Sequence, residues 1–258
     1  MKIKNALATL PLTLNACGGD GETISFSANK LGQGIWQGGF SSQPLTITSA
    51  SGSISQTELT KIEKSGFGVF TTDNRAFFYN IDDDILFAND TAGFVGSSII
   101  FSPAYYLAGV SYSRVNFSAS AYNSASILGE IPSPINDNFA MVFDTKYFRG
   151  ANLQWLAGNW SYSGVNNWSL TIQADGSFTG TSSIPVAVSC TLSGAFSTID
   201  SGKNEYAITV TLNPDCAPYA GSYQGLAATI DASSENDTLI MAIYNADYGF
   251  FMKPLKQP

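Results

Sequence analysis

The chain contains no histidine. That absence excludes the Ser-His-Asp triad, the Cys-His pair, imidazole zinc sites and the usual proton shuttle near neutral pH. Charge is also scarce: 12% of the residues are charged, about half the share of an average soluble protein. Twenty acidic residues stand against twelve basic ones, for a formal charge of -8. A nucleic acid would be repelled by that field, and no run of Lys or Arg offers a local exception. Cysteine occurs three times, never as Cys-x-x-Cys, which leaves neither a dithiol redox motif nor a zinc-ligand spacing. Ser, Asp and Lys are scattered without a Gly-x-Ser-x-Gly motif, and no catalytic residue is assigned.

What is present points to β-structure. The 258 residues are 44% hydrophobic and 13% aromatic, enough for a sizeable core, and a chain of this length is more often divided into two domains than one. Few Lys and Glu means few good helix formers on exposed faces. Thr, Tyr, Phe, Ile and Val suit a pleated, half-buried surface. Exported β proteins share this composition.

The first residues read as a leader: Met1-Lys2-Ile3-Lys4-Asn5 is basic, Ala6 to Leu14 is apolar, and Asn15-Ala16-Cys17 follows. The apolar stretch is too short to span a bilayer and fits a secretory signal. The ending Leu14-Asn15-Ala16-Cys17 resembles the lipobox of bacterial lipoproteins. That resemblance implies a signal peptide over 1–16 and a diacylglycerol on the Cys17 thiol. It also implies an acyl chain, such as palmitate, on the freed amine. Several chains at about 0.8 kcal/mol per buried methylene make a stable anchor. Gly18 in place of Asp after the cysteine implies, by the same resemblance, delivery to the bacterial outer membrane, on its periplasmic or cell-surface face. Without Lys2 and Lys4 the mature chain stands at 20 acids against 10 bases, or -10. If Cys17 carries lipid, Cys190 and Cys216 remain, and an exported compartment lets them pair. Such a loop closure contributes roughly 3 to 4 kcal/mol.

Residues 17–31, with Gly18, Gly19 and Gly21 together, read as a flexible tether after the lipidated cysteine. From Gly34 short alternating segments recur every 8 to 12 residues or so, the pattern of an all-β sandwich or barrel. The reading is two antiparallel β-meander domains, an N-terminal one over 32–150 and a C-terminal one over 151–258. The second parses into eight strands: Gly158 to Ser163, Trp168 to Gln173, Ser177 to Ser182, Val188 to Ser197, Tyr206 to Leu212, Ser222 to Ile230, Thr238 to Tyr244 and Tyr248 to Leu255. Polar turns such as Ala174-Asp175-Gly176 join neighbours directly. Eight hairpin-linked strands suffice for an up-and-down barrel, with a β-sandwich as the alternative. In Tyr206 to Leu212 the residues at 206, 208, 210 and 212 are apolar and share one face.

The first domain is less regular. Its expected strands are Gly34 to Phe40, Leu45 to Thr48, Gly68 to Thr72, Ala76 to Tyr79, Ile85 to Ala88, Ser97 to Phe101, Ser111 to Ala121, Ile127 to Ile131 and Phe139 to Asp144. Thr57 to Lys64 fits a short helix or a strand. A short echo links the domains: Gly34-Ile35-Trp36-Gln37-Gly38 answers Gly158-Asn159-Trp160-Ser161-Tyr162.

Gly-x-Trp on a first strand, as Gly34/Trp36 and Gly158/Trp160, followed by a β-meander resembles the lipocalin and wider calycin pattern, in which the Trp closes one end of a barrel. Leu156 to Gly164, the Asp175-Gly176 turn, Cys190, Cys216 and Gly221 to Leu239 are similar to a group of uncharacterised Gram-negative lipoproteins. That likeness implies no activity.

The candidate contacts for a ligand or partner are Tyr105 and Tyr106 beside Pro103, Tyr219 beside Pro218, and the two strand-opening tryptophans Trp36 and Trp160, since loop-borne aromatics favour binding. Asp82, Asp83 and Asp84 are the densest carboxylate cluster. A solvated hairpin tip is the simpler reading and an oxygen-ligand calcium site the alternative. The expected function is therefore non-enzymatic: a membrane-anchored binding module for a protein, a glycan or a small apolar ligand, without cofactor and without nucleic acid. A protease inhibitor of calycin-like barrel type and a structural or assembly factor of the envelope are the alternatives.

Overall fold

The structure, a computed structural model, describes residues 32–46, 60–89, 92–95, 97–122, 126–164, 166–184 and 189–258. The leader, Cys17, the 17–31 tether, part of the Leu45 to Thr48 and Thr57 to Lys64 segments, and Val188 at the start of the Val188 to Ser197 strand lie outside the described residues. The fold is all-β: a curled half-barrel sheet followed by a closed eight-stranded antiparallel barrel.

The half-barrel is built from β1 (Gly34–Ser41), β2 (Lys64–Phe70), β3 (Ala76–Asn80), β4 (Ile85–Asn89), β5 (Ala92–Val95), β6 (Ser98–Phe101), β7 (Ala104–Leu107), β8 (Val110–Arg114), β9 (Phe117–Tyr122), β10 (Ser126–Ile131) and β11 (Asp137–Asp144). Their order across the sheet is β5-β6-β9-β10-β11-β1-β2-β3-β4-β7-β8. The sheet curls on itself. The ring of Phe78 on β3 lies 5.8 Å from that of Phe101 on β6 and 5.2 Å from that of Phe117 on β9, although several strands separate them in the sheet order. Buried aromatics of this kind dominate core energetics. The expected single strand Ser111 to Ala121 is two, β8 and β9, because the chain leaves the sheet at Val115-Asn116. Leu45 and Thr46 are irregular.

A 3-10 turn at Thr145–Arg149 and one α-helical turn at Leu153–Leu156 lead into the barrel. Its strands are β12 (Gly158–Tyr162), β13 (Asn167–Ile172), β14 (Ser177–Ser183), β15 (Cys190–Thr198), β16 (Tyr206–Leu212), β17 (Gly221–Ile230), β18 (Thr238–Tyr244), β19 (Gly249–Met252) and β20 (Leu255–Lys256). The last two are one interrupted strand: β19 and Leu255 both pair with β18, and Ser161 and Trp160 on β12 pair with Leu255 and Lys256 to close the ring. The eight expected barrel strands are thus the eight observed. Inward side chains fill the interior, among them Trp160, Trp168, Phe178, Ile208, Val210, Met241 and Phe250, as expected where eight strands leave room for side chains and little else. On β12 to β16 the outward side chains are largely Ser, Thr and Asn, the inverse of a barrel that faces lipid.

Cys190 and Cys216 form a disulfide with a Cα separation of 5.0 Å. It pins the Pro214–Cys216 3-10 turn to the start of β15. The sequence echo also has a structural counterpart. The indole N–H of Trp36 donates to the carbonyl of Gly32 at 2.9 Å, and that of Trp160 to the carbonyl of Leu156 at 2.7 Å. Each strand-opening Trp therefore caps the turn four residues before it and buries its ring in its own core.

A third cluster joins the two sheets. Ile35, Val69, Phe77 and Leu86 from the half-barrel pack against Leu226, Ala228, Ile240 and Ala242 on the outer wall of the barrel. β3 and β18 are consequently buried along their whole length. Tyr79 and Phe251 stack across this interface with centroids 4.0 Å apart.

Trp160→Ala removes a fully buried ring and its internal hydrogen bond. Urea unfolding should show a loss of about 3–5 kcal/mol. Trp155→Ala, at a ring 37% exposed, should stay within about 0.5 kcal/mol of the parent.

Candidate functional site

Where the free edge of the half-barrel approaches the barrel wall, the two sheets leave a cleft of about 860 Å³. One wall is β8 with the end of β7; the other is the outer face of β16 and β17 with the residues after β18. The cleft exists because the sheets touch at one end of β8 and diverge at the other. Ser111 N–H donates to the Asp247 carbonyl at 2.8 Å, Gly249 N–H donates to the Gly109 carbonyl at 3.1 Å, and Val110 bridges to Tyr248. Gly249 is required for that approach, since a β-carbon there would lie 2.5 Å from the Tyr106 ring.

Tyr106 forms the closed end. Its ring is buried between the sheets, 6.3 Å from that of Tyr244, and its hydroxyl donates to the Asn245 carbonyl at 2.7 Å. Further along, β8 is bulged: Ser111 pairs with Tyr106 and Arg114 with Ala104, which leaves Tyr112 and Ser113 together opposite Tyr105. A bulge bends a strand and re-aims its side chains. Here it lays the Tyr112 ring flat on that of Tyr105, with centroids 5.2 Å apart and planes 10° apart. Tyr105 is buried in the half-barrel's own core and Tyr112, 48% exposed, covers it from outside, so this ring pair lies on the face of β8 turned away from the barrel, while Tyr106 and its partner Ser111 face the cleft. The opposite wall contributes Thr209, Thr211, Ser222 and Gln224. Arg114 is the one charged residue among those described around the cleft, and its guanidinium donates to the Ser102 carbonyl at 2.8 Å. On the barrel side Tyr223 is held protonated above the ordinary tyrosine range, chiefly by burial.

Of the sequence candidates, Tyr106 lines this cleft, whereas Tyr105, one residue before it on β7, points the other way into the half-barrel core. Tyr219 stands at the neighbouring barrel mouth, its ring edge-on to Tyr248 at 4.8 Å. Trp36 and Trp160 are corrected to core residues: both are almost wholly buried, with their indole donors satisfied inside the fold. The three aspartates form a hairpin tip whose carboxylates turn apart. Asp82 accepts from the Ser65 N–H at 2.6 Å, Asp83 pairs with Lys64 at 2.8 Å, and Asp84 accepts from the Tyr79 hydroxyl at 2.8 Å. Among the described residues no cluster of carboxylates or cysteines is arranged for a metal. The residues that sequence reasoning missed are Tyr112, Arg114, Gln224 and Asn245. Tyr112 lay inside what read as one continuous strand, and the other three meet only through the docking of the two sheets.

A second polar cluster seals the junction itself. Glu205 is fully buried and accepts from the Thr72 N–H at 3.0 Å, from the Thr72 hydroxyl, and from the Tyr147 hydroxyl at 2.9 Å. Thr72 belongs to the half-barrel, Tyr147 to the connection and Glu205 to the barrel, so one carboxylate ties all three. Beside it, Asn204 donates to the Thr229 carbonyl at 2.7 Å and accepts from the Thr229 N–H at 3.0 Å. Burial raises the Glu205 carboxyl above its ordinary value against the pull of these donors, and also raises the Tyr147 hydroxyl. Every donor near Glu205 belongs to the fold, which makes this a latch.

No protein-family model matches the chain, and no curated protein matches it significantly. Two solved structures are similar in outline. Aeromonas veronii immune modulator A is 11% identical, with 87% of this chain and 94% of that one covered and a TM-score of 0.43. The isotype 1 transferrin binding protein B from serogroup B Neisseria meningitidis is 6% identical, with 87% and 76% covered and a TM-score of 0.28. Likeness at that level carries no argument about what this chain binds.

The raised Glu205 carboxyl has a pH signature. The unfolded chain gives up this proton in the ordinary carboxylate range, the folded chain only at higher pH. The associated stability is therefore full below the ordinary range and lost as pH rises through the folded value. Urea midpoints measured from pH 4 to 8 should show the parent losing ground to Glu205→Gln across that rise, whereas parallel curves would remove Glu205 as the titrating group.

Proposed function

We propose that this chain is an exported, lipid-anchored envelope protein that works by binding, without catalysis, and that its contact surface is the cleft between β8 and the barrel wall. The observation that carries this reading is the cleft of about 860 Å³ itself, where the buried Tyr106 ring meets a barrel wall that presents Thr209, Thr211, Ser222 and Gln224. Concave sites with a few placed polar groups and an aromatic surface are where ligands are held. The filled barrel interior speaks against a lipocalin-like cup for a small apolar ligand, and moves the search to the outside of the barrel. The lipobox-like ending at Cys17 supports the anchor, and the disulfide supports an oxidising compartment.

A photo-crosslinking amino acid placed at Ser111 or Gln224 of the full chain, both of which line the cleft, in cells of the producing kind, should trap a discrete adduct under illumination. The same group at Asp175, in an exposed turn of the barrel, should trap none. Cys17→Ser should move the chain from the membrane to the soluble fraction. Equal trapping at all three positions, or at none, would sink the cleft as the contact surface.

A further inference from the structure

Charge is laid out unevenly around the cleft. Among the described residues no Asp or Glu lines it, and Arg114 is its one cation. Lys64, Arg75, Lys146 and Arg149 are each matched with a carboxylate, whereas no carboxylate among the described residues pairs with Arg114. Strand pairing sets Arg114 beside Ala104, and residues directly opposite on neighbouring strands present their side chains on one face. Ala104 packs against the apolar cluster between the two sheets. Arg114 is therefore carried on the side of β8 that faces the barrel. The Ser102 carbonyl holds its Nη1 at 2.8 Å and steadies the guanidinium. The edge formed by Nε and Nη2 is the side left for a carboxylate, which a guanidinium meets with two parallel N–H bonds.

The rest of the cleft is uncharged and graded. From Ala104, the partner of Arg114, it is two residues or about 7 Å along β7 to Tyr106, whose ring closes the space beside that of Tyr244. Ala88 and Ala104 contribute only methyl groups to the floor, and the barrel side offers the hydroxyls and amide of Thr209, Thr211, Ser222 and Gln224. A ligand matched to this gradient has one anionic group, an uncharged body with a few hydrogen-bonding atoms, and an apolar or flat end against the tyrosines.

Size follows from the field of the whole chain. Its net charge of -8 repels anions at long range, yet at physiological salt that repulsion is screened within about 8 Å. A small acid against Arg114 feels the contact. An acidic polymer extending out of the cleft also meets the acidic remainder of the surface.

Resting on the cleft as the contact surface, we propose that it takes a small monocarboxylic acid, with the carboxylate forked on Arg114 and the uncharged body laid over Ala104 toward Tyr106.

Ligand-observed NMR on the mature chain, with a library of small carboxylic acids each run beside its neutral primary amide, finds the binders, and calorimetry then measures them. Acids should bind, and their amides should bind about tenfold more weakly or less, as a charge-assisted pair requires. Arg114→Gln should weaken every bound acid by a similar factor and leave the amides unchanged. Arg114→Lys, a point charge without the fork, should keep part of the affinity. Thr211→Trp, which fills the cleft from an exposed position on the barrel wall, should abolish acid binding, with an unchanged melting temperature showing that the variant is folded.

Binding of no acid in the library overturns the proposal, as does acid binding that ignores Arg114→Gln. If Ser111 and Gln224 crosslink to a partner while no acid binds, the carboxylate assignment falls and the cleft stands. If acids bind and Thr211→Trp is silent, the ligand lies elsewhere and the cleft falls too.

Discussion

The structure depends on one shared apolar face. β17 and β18 bury one side in the barrel and the other against β2, β3 and β4 of the half-barrel. Each fully buried Val, Leu, Ile or Phe side chain stabilises by about 1.5–3 kcal/mol relative to exposure, and a contact of this breadth holds many. Pulled apart, either sheet would present an apolar patch larger than soluble monomers ordinarily tolerate. The polar latch at its rim adds direction to that adhesion. The Glu205 carboxylate, with Asn204 and Thr229 beside it, accepts only one arrangement of turn, connection and barrel. Leaving any of these buried groups unpaired costs about 1–3 kcal/mol.

Binding geometry follows from this adhesion. With β3 and β18 held together, β8 is carried past the barrel wall, touching it at Val110 and Ser111 and standing clear of it from Tyr112 onward. The Tyr106 ring closes one end of the space, and the barrel supplies the hydroxyls of Thr209, Thr211 and Ser222. Neither sheet alone contains the cleft. A rigid scaffold that brings residues from distant parts of a chain to one surface is how recognition is commonly built.

The barrel was the most legible part of the sequence because five of its strands are solvated on one side. Asn167 to Ile172 and Tyr206 to Leu212 alternate as a half-buried strand must. The echo of Gly34/Trp36 in Gly158/Trp160 marked two strand openings, and the structure shows both as indole-capped turns. What alternation could not convey was the docking of the sheets. Thr238 to Tyr244 and Ala76 to Asn80 are buried on both faces, and a continuous apolar run does not tell which neighbour covers which side. The same blindness explains the tryptophans: an aromatic residue at a strand opening reads alike whether its ring plugs a core or faces a ligand. Tyr105 and Tyr106 read alike beside Pro103, yet strand alternation sends the first into the half-barrel core and the second to the cleft.

The central claim is that the half-barrel and the barrel are one cooperative unit because of the face they share. Scanning calorimetry of the oxidised mature chain, with hydrogen exchange of β3 and β18 amides alongside, tests it most directly. A single transition whose calorimetric and van't Hoff enthalpies agree, with β3 and β18 opening at the same free energy, is the predicted result. Two separated transitions, or β3 exchanging well before β18, would contradict it.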